Sequence, residues 1–339
     1  MILNQINALY ETRCQVNSYI TEELGISDYV GEATKELYGK VINEIGKAPK
    51  YYFVNGRSGI KSIIRQSVSF KFDFNGISLT VSADYYNFKD KSERCKWLDV
   101  LPDSLFDNAS SLYGDFYLSD TARRKKKPFK PDMISFKLIG ISGRVDKVKA
   151  YRSISHELRH VYEQHSNKRK PFSEYNDNAL YMKCADYFNY APKGSAKSDI
   201  GLTGYLSFNY ERRALVEEFF RGIEAKIENA EFSNKDLMGI LKNNNDVFYK
   251  MSVVKSTINR LTNNDSEYVK ICNDMLQETG FTIEKFIKRC VNSFNDLCKR
   301  YGKCIIKLKN DYPDIFLRNG IRENVLEHHY QKKYAKYFI

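Results

Sequence analysis

The chain has 339 residues, 42% hydrophobic and 28% charged, a globular composition that excludes a disordered, collagen-like or low-complexity protein. Its 54 Lys and Arg against 42 Asp and Glu leave a formal charge of +12, which favours acidic partners such as nucleic acid, an anionic surface or an acidic protein. No run approaches the roughly eighteen apolar residues of a membrane span, and the length suits one large domain or two modest ones.

The elements follow in chain order. Residues 2–47 read as two amphipathic helices. The first carries Ile6, Leu9, Tyr10 and Val16 at helical spacing, and the second covers 32–45 with Gly46 as its stop signal. Residues 51–54 form a short strand. Val68, Phe70, Phe72 and Phe74 then alternate with polar residues, Asn75-Gly76 follows, and Ile77, Leu79 and Val81 alternate again. Alternation on both sides of Asn-Gly predicts a β-hairpin with a tight turn. Residues 113–118 are a further strand. Residues 121–131 hold Arg123, Arg124, Lys125, Lys126 and Lys127, a solvated basic loop or an anionic contact patch. Residues 133–141 are an apolar run suited to a buried or an edge strand. A helix begins near Asp146 and ends before Pro171, another covers 210–228, and 232–339 is helical throughout. Its longest helix, 283–308, sets Phe286, Ile287, Cys290, Val291, Phe294 and Leu297 on one face. The chain thus divides into a helical segment 1–48, a mixed core 49–230 and a helical region 231–339.

The seven cysteines include no C-x-x-C pair and are odd in number, which argues against a zinc ribbon or a disulfide scaffold and for a reducing compartment. Residues 1–10 lack the basic flank and apolar run of a signal peptide. The expected location is the cytoplasm or the interior of a larger, viral, assembly.

Within the helix that starts near Asp146 stands His156-Glu157-Leu158-Arg159-His160, an H-E-x-x-H motif. Histidines at i and i+4 lie about 40° apart around a helix and one turn apart along it, so their imidazoles can converge on one ion. Zinc suits two neutral imidazoles and a carboxylate. Glu157 adjoins the first histidine but lies off the ligand line, the place for a general base. Tyr151, Ile154, Leu158 and Val161 fall on the opposite face and would pack on a core. The bland alternative is a pair of core or solvated histidines.

On this motif, and on the strands before it and helices after it, the chain resembles the zincin metallopeptidases. The resemblance covers about residues 50–230. It implies an α+β, zincin-like fold, a small twisted sheet with an active-site helix and a mostly helical lower part that supplies the third ligand; the helical N-terminal and C-terminal extensions fall outside the resemblance. It also implies a Zn2+ cofactor and hydrolysis of peptide or amide bonds by a zinc-activated water, with Glu157 as general base and a peptide or protein as substrate. The metzincin continuation fails, because Glu163 and Ser166 stand where its glycine and third histidine belong. The gluzincin continuation places the third ligand on a later helix as E-x-x-A, which Glu211 and Ala214 match. Glu217, Glu218 and Glu174 are the other downstream carboxylates, and Glu211 also reads simply as a first-turn acid stabilised by the helix dipole. Leu215 occupies the place of the aspartate that thermolysin-like enzymes carry. A carboxylate to orient a ligand histidine is therefore unassigned, with Asp186 and Glu218 as candidates. Tyr205 and Tyr210 precede Glu211 and are candidate oxyanion donors.

The competing reading is a non-catalytic structural or assembly protein, virion-associated, on a zincin-like scaffold. It would dock acidic partners through the basic stretches 123–127 and 168–170. No helix-turn-helix, RNA-recognition or finger signature accompanies those stretches. Glu157 weighs against this reading, since a scaffold has no need of it.

Overall fold

The computed structural model describes residues 27–55, 60–88, 113–117, 133–166, 179–228 and 245–318. The first expected helix, both basic stretches and Glu174 lie outside these residues. The protein is mixed α and β and divides into two compact units, residues 27–168 and a second that contains residues 169–339. Among the described residues no helix is long and apolar enough to cross a membrane.

The first unit combines helices α1 (Asp28–Lys47) and α2 (Lys147–Ser166) with one sheet of six strands: β1 (Tyr51–Asn55), β2 (Ile60–Phe74), β3 (Ile77–Phe88), β4 (Tyr113–Tyr117), β5 (Met133–Ile141) and β6 (Arg144–Val145). The strand order is β1-β2-β3-β5-β4, with β6 paired to β5. Only β3 and β5 run parallel; the other pairs are antiparallel. The hairpin forms where the alternation breaks at Asn-Gly. Asn75 and Gly76 take φ of 54° and 73°, the left-handed pair that a two-residue turn matching strand twist requires. Phe74 then faces Ile77, and Phe72 faces Leu79. Residues 133–141 prove to be an interior strand, covered by β3 on one side and β4 on the other.

Register builds a single apolar face. Val81 pairs with Ile134, Ala83 with Phe136 and Tyr85 with Leu138, and all six are buried. Val30, Leu37, Val41 and Ile45 of α1 join Ala150, Ile154, Leu158 and Val161 of α2 in the same core. Each large side chain buried there contributes about 1.5–3 kcal/mol. On β2 the alternate residues Ser67, Ser69, Lys71 and Asp73 are exposed, so the sheet is apolar on one side and polar on the other. Helix α1 continues through Gly46 to Lys47, and its cap is Ala48. The expected stop signal therefore lies inside the last turn, where a glycine costs under about 1 kcal/mol.

The second unit is helical throughout its described residues: α3 (Ala179–Tyr190), α4 (Ala196–Tyr205), α5 (Asn209–Glu228), α6 (Asn245–Thr262), α7 (Ser266–Leu276), α8 (Ile283–Asp311) and α9 (Pro313–Arg318). Helix α8, about 43 Å long at 1.5 Å per residue, buries Phe286, Cys290, Phe294, Leu297, Tyr301, Cys304 and Leu308 at intervals of three and four. Ile287 and Val291 flank this stripe, half-buried. Helix α5 is buried on nearly every side, so its charges must be settled internally. Arg221 bonds Glu217 at 2.9 Å and Glu224 at 2.8 Å, and the Tyr312 hydroxyl donates to Glu224 at 3.0 Å. Helices α3 and α4 cross closely at Gly201, where a Cβ would meet the Phe188 backbone nitrogen at 2.4 Å.

Candidate metal centre

Helix α2 is launched by a tight reversal. Strand β5 ends in Ser142-Gly143, both at positive φ (54° and 79°). The Ser142 N–H donates to the Phe88 carbonyl at 2.8 Å and the Gly143 N–H to Asn87 Oδ1 at 2.9 Å, which ties the turn to the end of β3. Asp146 then caps the helix, its Oδ1 accepting from the Lys149 N–H at 3.2 Å. Tyr151, Ile154, Leu158 and Val161 face the core as their spacing predicts. This anchoring fixes the rotation of α2 about its own axis, and with it the direction of the histidines.

His156 and His160 approach each other on the same side of α2. Their Nε2 atoms stand 3.1 Å apart, with ring centroids at 4.7 Å and ring planes at 87°. His156 is half-buried and His160 buried. Burial pushes the His160 imidazole well below its usual pKa, and the neighbouring His156 and Arg159 push it the same way. It is therefore neutral at pH 7, the form that offers a lone pair. Two imidazoles at this distance have two options: one N–H donates to the other ring, or both lone pairs meet a cation. Tetrahedral zinc with Zn–N near 2.0–2.1 Å separates its nitrogens by about 3.3 Å, close to the spacing here.

The rest of the motif is buried too. Glu157 has little exposure. Arg159 and Glu163 form a buried ion pair at 2.7 Å, one turn apart. That pairing gives Glu163, at the metzincin glycine position, a structural partner of its own.

In the second unit, Glu211 lies in the first turn of α5 and is 1% exposed. The connection from α4 that leads to it is clamped from two helices. Arg212 Nη1 donates to the Ser207 carbonyl at 2.6 Å, Ser293 Oγ donates to the same carbonyl at 3.1 Å, and Arg289 Nε donates to Ser207 Oγ at 2.9 Å. The Tyr181 hydroxyl donates to Glu211 Oε1 at 2.7 Å. The Tyr205 phenol stacks on Tyr181 and lies beside Glu211. Burial first, and then Glu211 and Tyr181, hold the Tyr205 phenol well above its usual pKa, so it stays protonated. Ala214, one turn after Glu211, is fully buried.

The remaining candidates are distributed as follows. The Tyr205 phenol packs against Tyr181 and lies beside Glu211. Tyr210 is buried. Asp186 is exposed on α3, and Glu218 is half-buried on α5. Glu217, the alternative third ligand, is bonded to Arg221. Tyr181 was not among the sequence candidates. It lies 30 residues from Glu211 on another helix, and nothing local distinguishes it among 25 tyrosines. No protein-family model matches the chain, and neither a curated protein nor a solved structure is significantly similar to it.

Proposed function

We propose that His156, His160 and Glu211 hold one zinc ion and that the protein is a zinc-dependent metallopeptidase of zincin-like architecture. One observation carries the reading: His156 and His160 bring their Nε2 atoms to 3.1 Å on one side of α2, and the E-x-x-A spacing names the buried Glu211 as the carboxylate that completes the set. The donor set supports it chemically. Two neutral imidazoles and one carboxylate are the three protein ligands of many hydrolytic zinc sites, and they leave a position open. A zinc ion held there supplies a Lewis acid that acidifies water and polarises a carbonyl. Glu157 follows His156 on the helix and points off the ligand line. Its carboxylate accepts the proton of the attacking water and returns it to the nitrogen of the leaving amine. Its burial strengthens both transfers by excluding bulk water. The Nε2 separation of 3.1 Å also suits a direct N–H···N bond between the imidazoles, so the test must separate a ligated pair from a hydrogen-bonded one.

Metal analysis of the purified chain is expected to find about one zinc per molecule, and His160→Ala and Glu211→Ala to lose it. Glu157→Gln is expected to keep the metal and to cut hydrolysis of casein or a quenched peptide library at least about 100-fold. A wild-type chain that takes up no zinc, or a Glu157→Gln variant as active as wild type, overturns the proposal.

A further inference from the structure

We infer that Tyr181 and Tyr205 are positioning residues for Glu211, a pair of phenols that set the orientation in which this carboxylate meets a cation. The inference rests on the zinc-site reading above and adds two residues that no metallopeptidase motif in the sequence marks.

The geometry is specific. Tyr181 comes from α3, Tyr205 closes α4, and Glu211 opens α5, so three helices meet at one carboxylate. The two phenol rings stack at 5.6 Å with planes 28° apart. Phe208 stands edge-on to Tyr181 at 5.1 Å, and Phe188 lies 5.6 Å from Tyr205. Rings held on both sides cannot swing, so their hydroxyls are fixed. Tyr181 donates to Oε1 at 2.7 Å, and the Tyr205 phenol, stacked on Tyr181, lies beside the same carboxylate. The backbone between Tyr205 and Glu211 is held by Arg212, Arg289 and Ser293.

Three consequences follow from chemistry alone. A glutamate side chain has three torsions, and ordering it at the moment of binding would cost about 1.5–2 kcal/mol. Here folding has already restricted it. The Tyr181 hydroxyl also gives the buried carboxylate a donor in place of water. Finally, hydrogen bonds to a ligating carboxylate belong to the outer shell of a metal site, whose removal weakens metal binding about 10- to 100-fold.

The test uses the full chain and three variants, Tyr181→Phe, Tyr205→Phe and Tyr187→Phe. The first two remove a hydroxyl and keep the ring. The third removes a hydroxyl from the same helix as Tyr181. Zinc affinity is measured by competition with a chromophoric chelator, and Co2+ is added separately for its visible absorption, which reports ligand geometry. Both Tyr181→Phe and Tyr205→Phe are expected to weaken zinc binding about 10- to 100-fold and to change the Co2+ spectrum, with Tyr187→Phe at wild-type values. A wild-type chain that binds one zinc while both variants bind it equally well, with an unaltered spectrum, overturns this inference and leaves the zinc site standing. A wild-type chain that binds no zinc removes the site itself. Loss of helical circular dichroism in both phenylalanine variants also overturns the inference, because the hydroxyls are then structural.

Discussion

Replacing Gly201 by Ala should destabilise the helical unit, against the ordinary trend for a glycine inside a helix. In an open helix the substitution stabilises by about 1 kcal/mol, because alanine gives up less backbone entropy. At Gly201 the new Cβ would lie 2.4 Å from the Phe188 nitrogen and 2.7 Å from the Tyr187 carbonyl carbon, both backbone atoms. These atoms cannot rotate away, so α3 and α4 must separate by roughly 1 Å to restore van der Waals contact at about 3.5 Å. Overpacking of this kind costs about 1–3 kcal/mol, and a backbone obstacle places it at the upper end. After the propensity gain the net loss is about 1–2 kcal/mol. The same displacement moves Tyr181 relative to Tyr205, and the 2.7 Å bond to Glu211 has little slack. Urea unfolding followed by far-UV circular dichroism gives the stability, and chelator competition gives the zinc affinity. Gly302→Ala is the control: it lies within α8 with nothing inside 4 Å of its added Cβ, so it should be neutral or stabilising. If Gly201→Ala shifts the urea midpoint upward as Gly302→Ala does, and zinc affinity is unchanged, the close crossing of α3 and α4 is not what holds the phenols.

The other predictions concern the interior of the same unit. Arg221→Ala strands the carboxylates of Glu217 and Glu224, both within 3 Å of the guanidinium. It should cost about 3–5 kcal/mol, the range for removing one partner of a buried ion pair, and a urea midpoint within error of wild type would refute the network's role. Burial pushes the Cys272 and Cys298 thiols up to about 12. A raised folded-state pKa gives stability that is present below the unfolded value near 9 and lost as pH climbs toward 12. Denaturation curves between pH 9 and 11 should therefore fall by up to about 1.4 kcal/mol per pH unit for each thiol. A stability flat across that window would count against the buried, protonated cysteines. The five cysteines among the described residues are free and buried, so a disulfide-exchange reagent at pH 8 should react with them only after unfolding.

What could be read from the residues follows how local each signal is. The hairpin at Asn75-Gly76, the amphipathic stripe of α8 and the Asp146-capped helix α2 all rest on spacing within a dozen residues, and each stands where that spacing puts it. Helices α3 and α4 escaped sequence reading for the opposite reason. Helix α4 reads Ala-Lys-Ser-Asp-Ile-Gly-Leu-Thr-Gly-Tyr and is buried almost throughout, so it has no polar face to create a period. Its glycines look like breakers, yet each fits a close approach, Gly201 against α3 and Gly204 against Cys184 and Phe286. Tertiary packing there overrides propensity. Strand β5 was ambiguous between edge and interior because partners on both sides come from distant segments. The parallel pairing of β3 with β5 has no signature within either strand.

The same division runs through the candidate site. The histidine pair is a local fact, because an α-helix sets residues four apart on one side whatever surrounds them. The treatment of carboxylates is a tertiary fact, and the buried ones other than Glu157 differ in their partners. Glu163 is bonded to Arg159, and Glu217 and Glu224 to Arg221. In each case the cation sits three or four residues away on the same helix, so charge is cancelled where it is buried and the pair serves packing. Glu211 accepts from the Tyr181 phenol of another helix. Neutral donors orient a carboxylate without cancelling its charge. On the proposed reading, a phenol donor suits a carboxylate that must meet a cation already aimed.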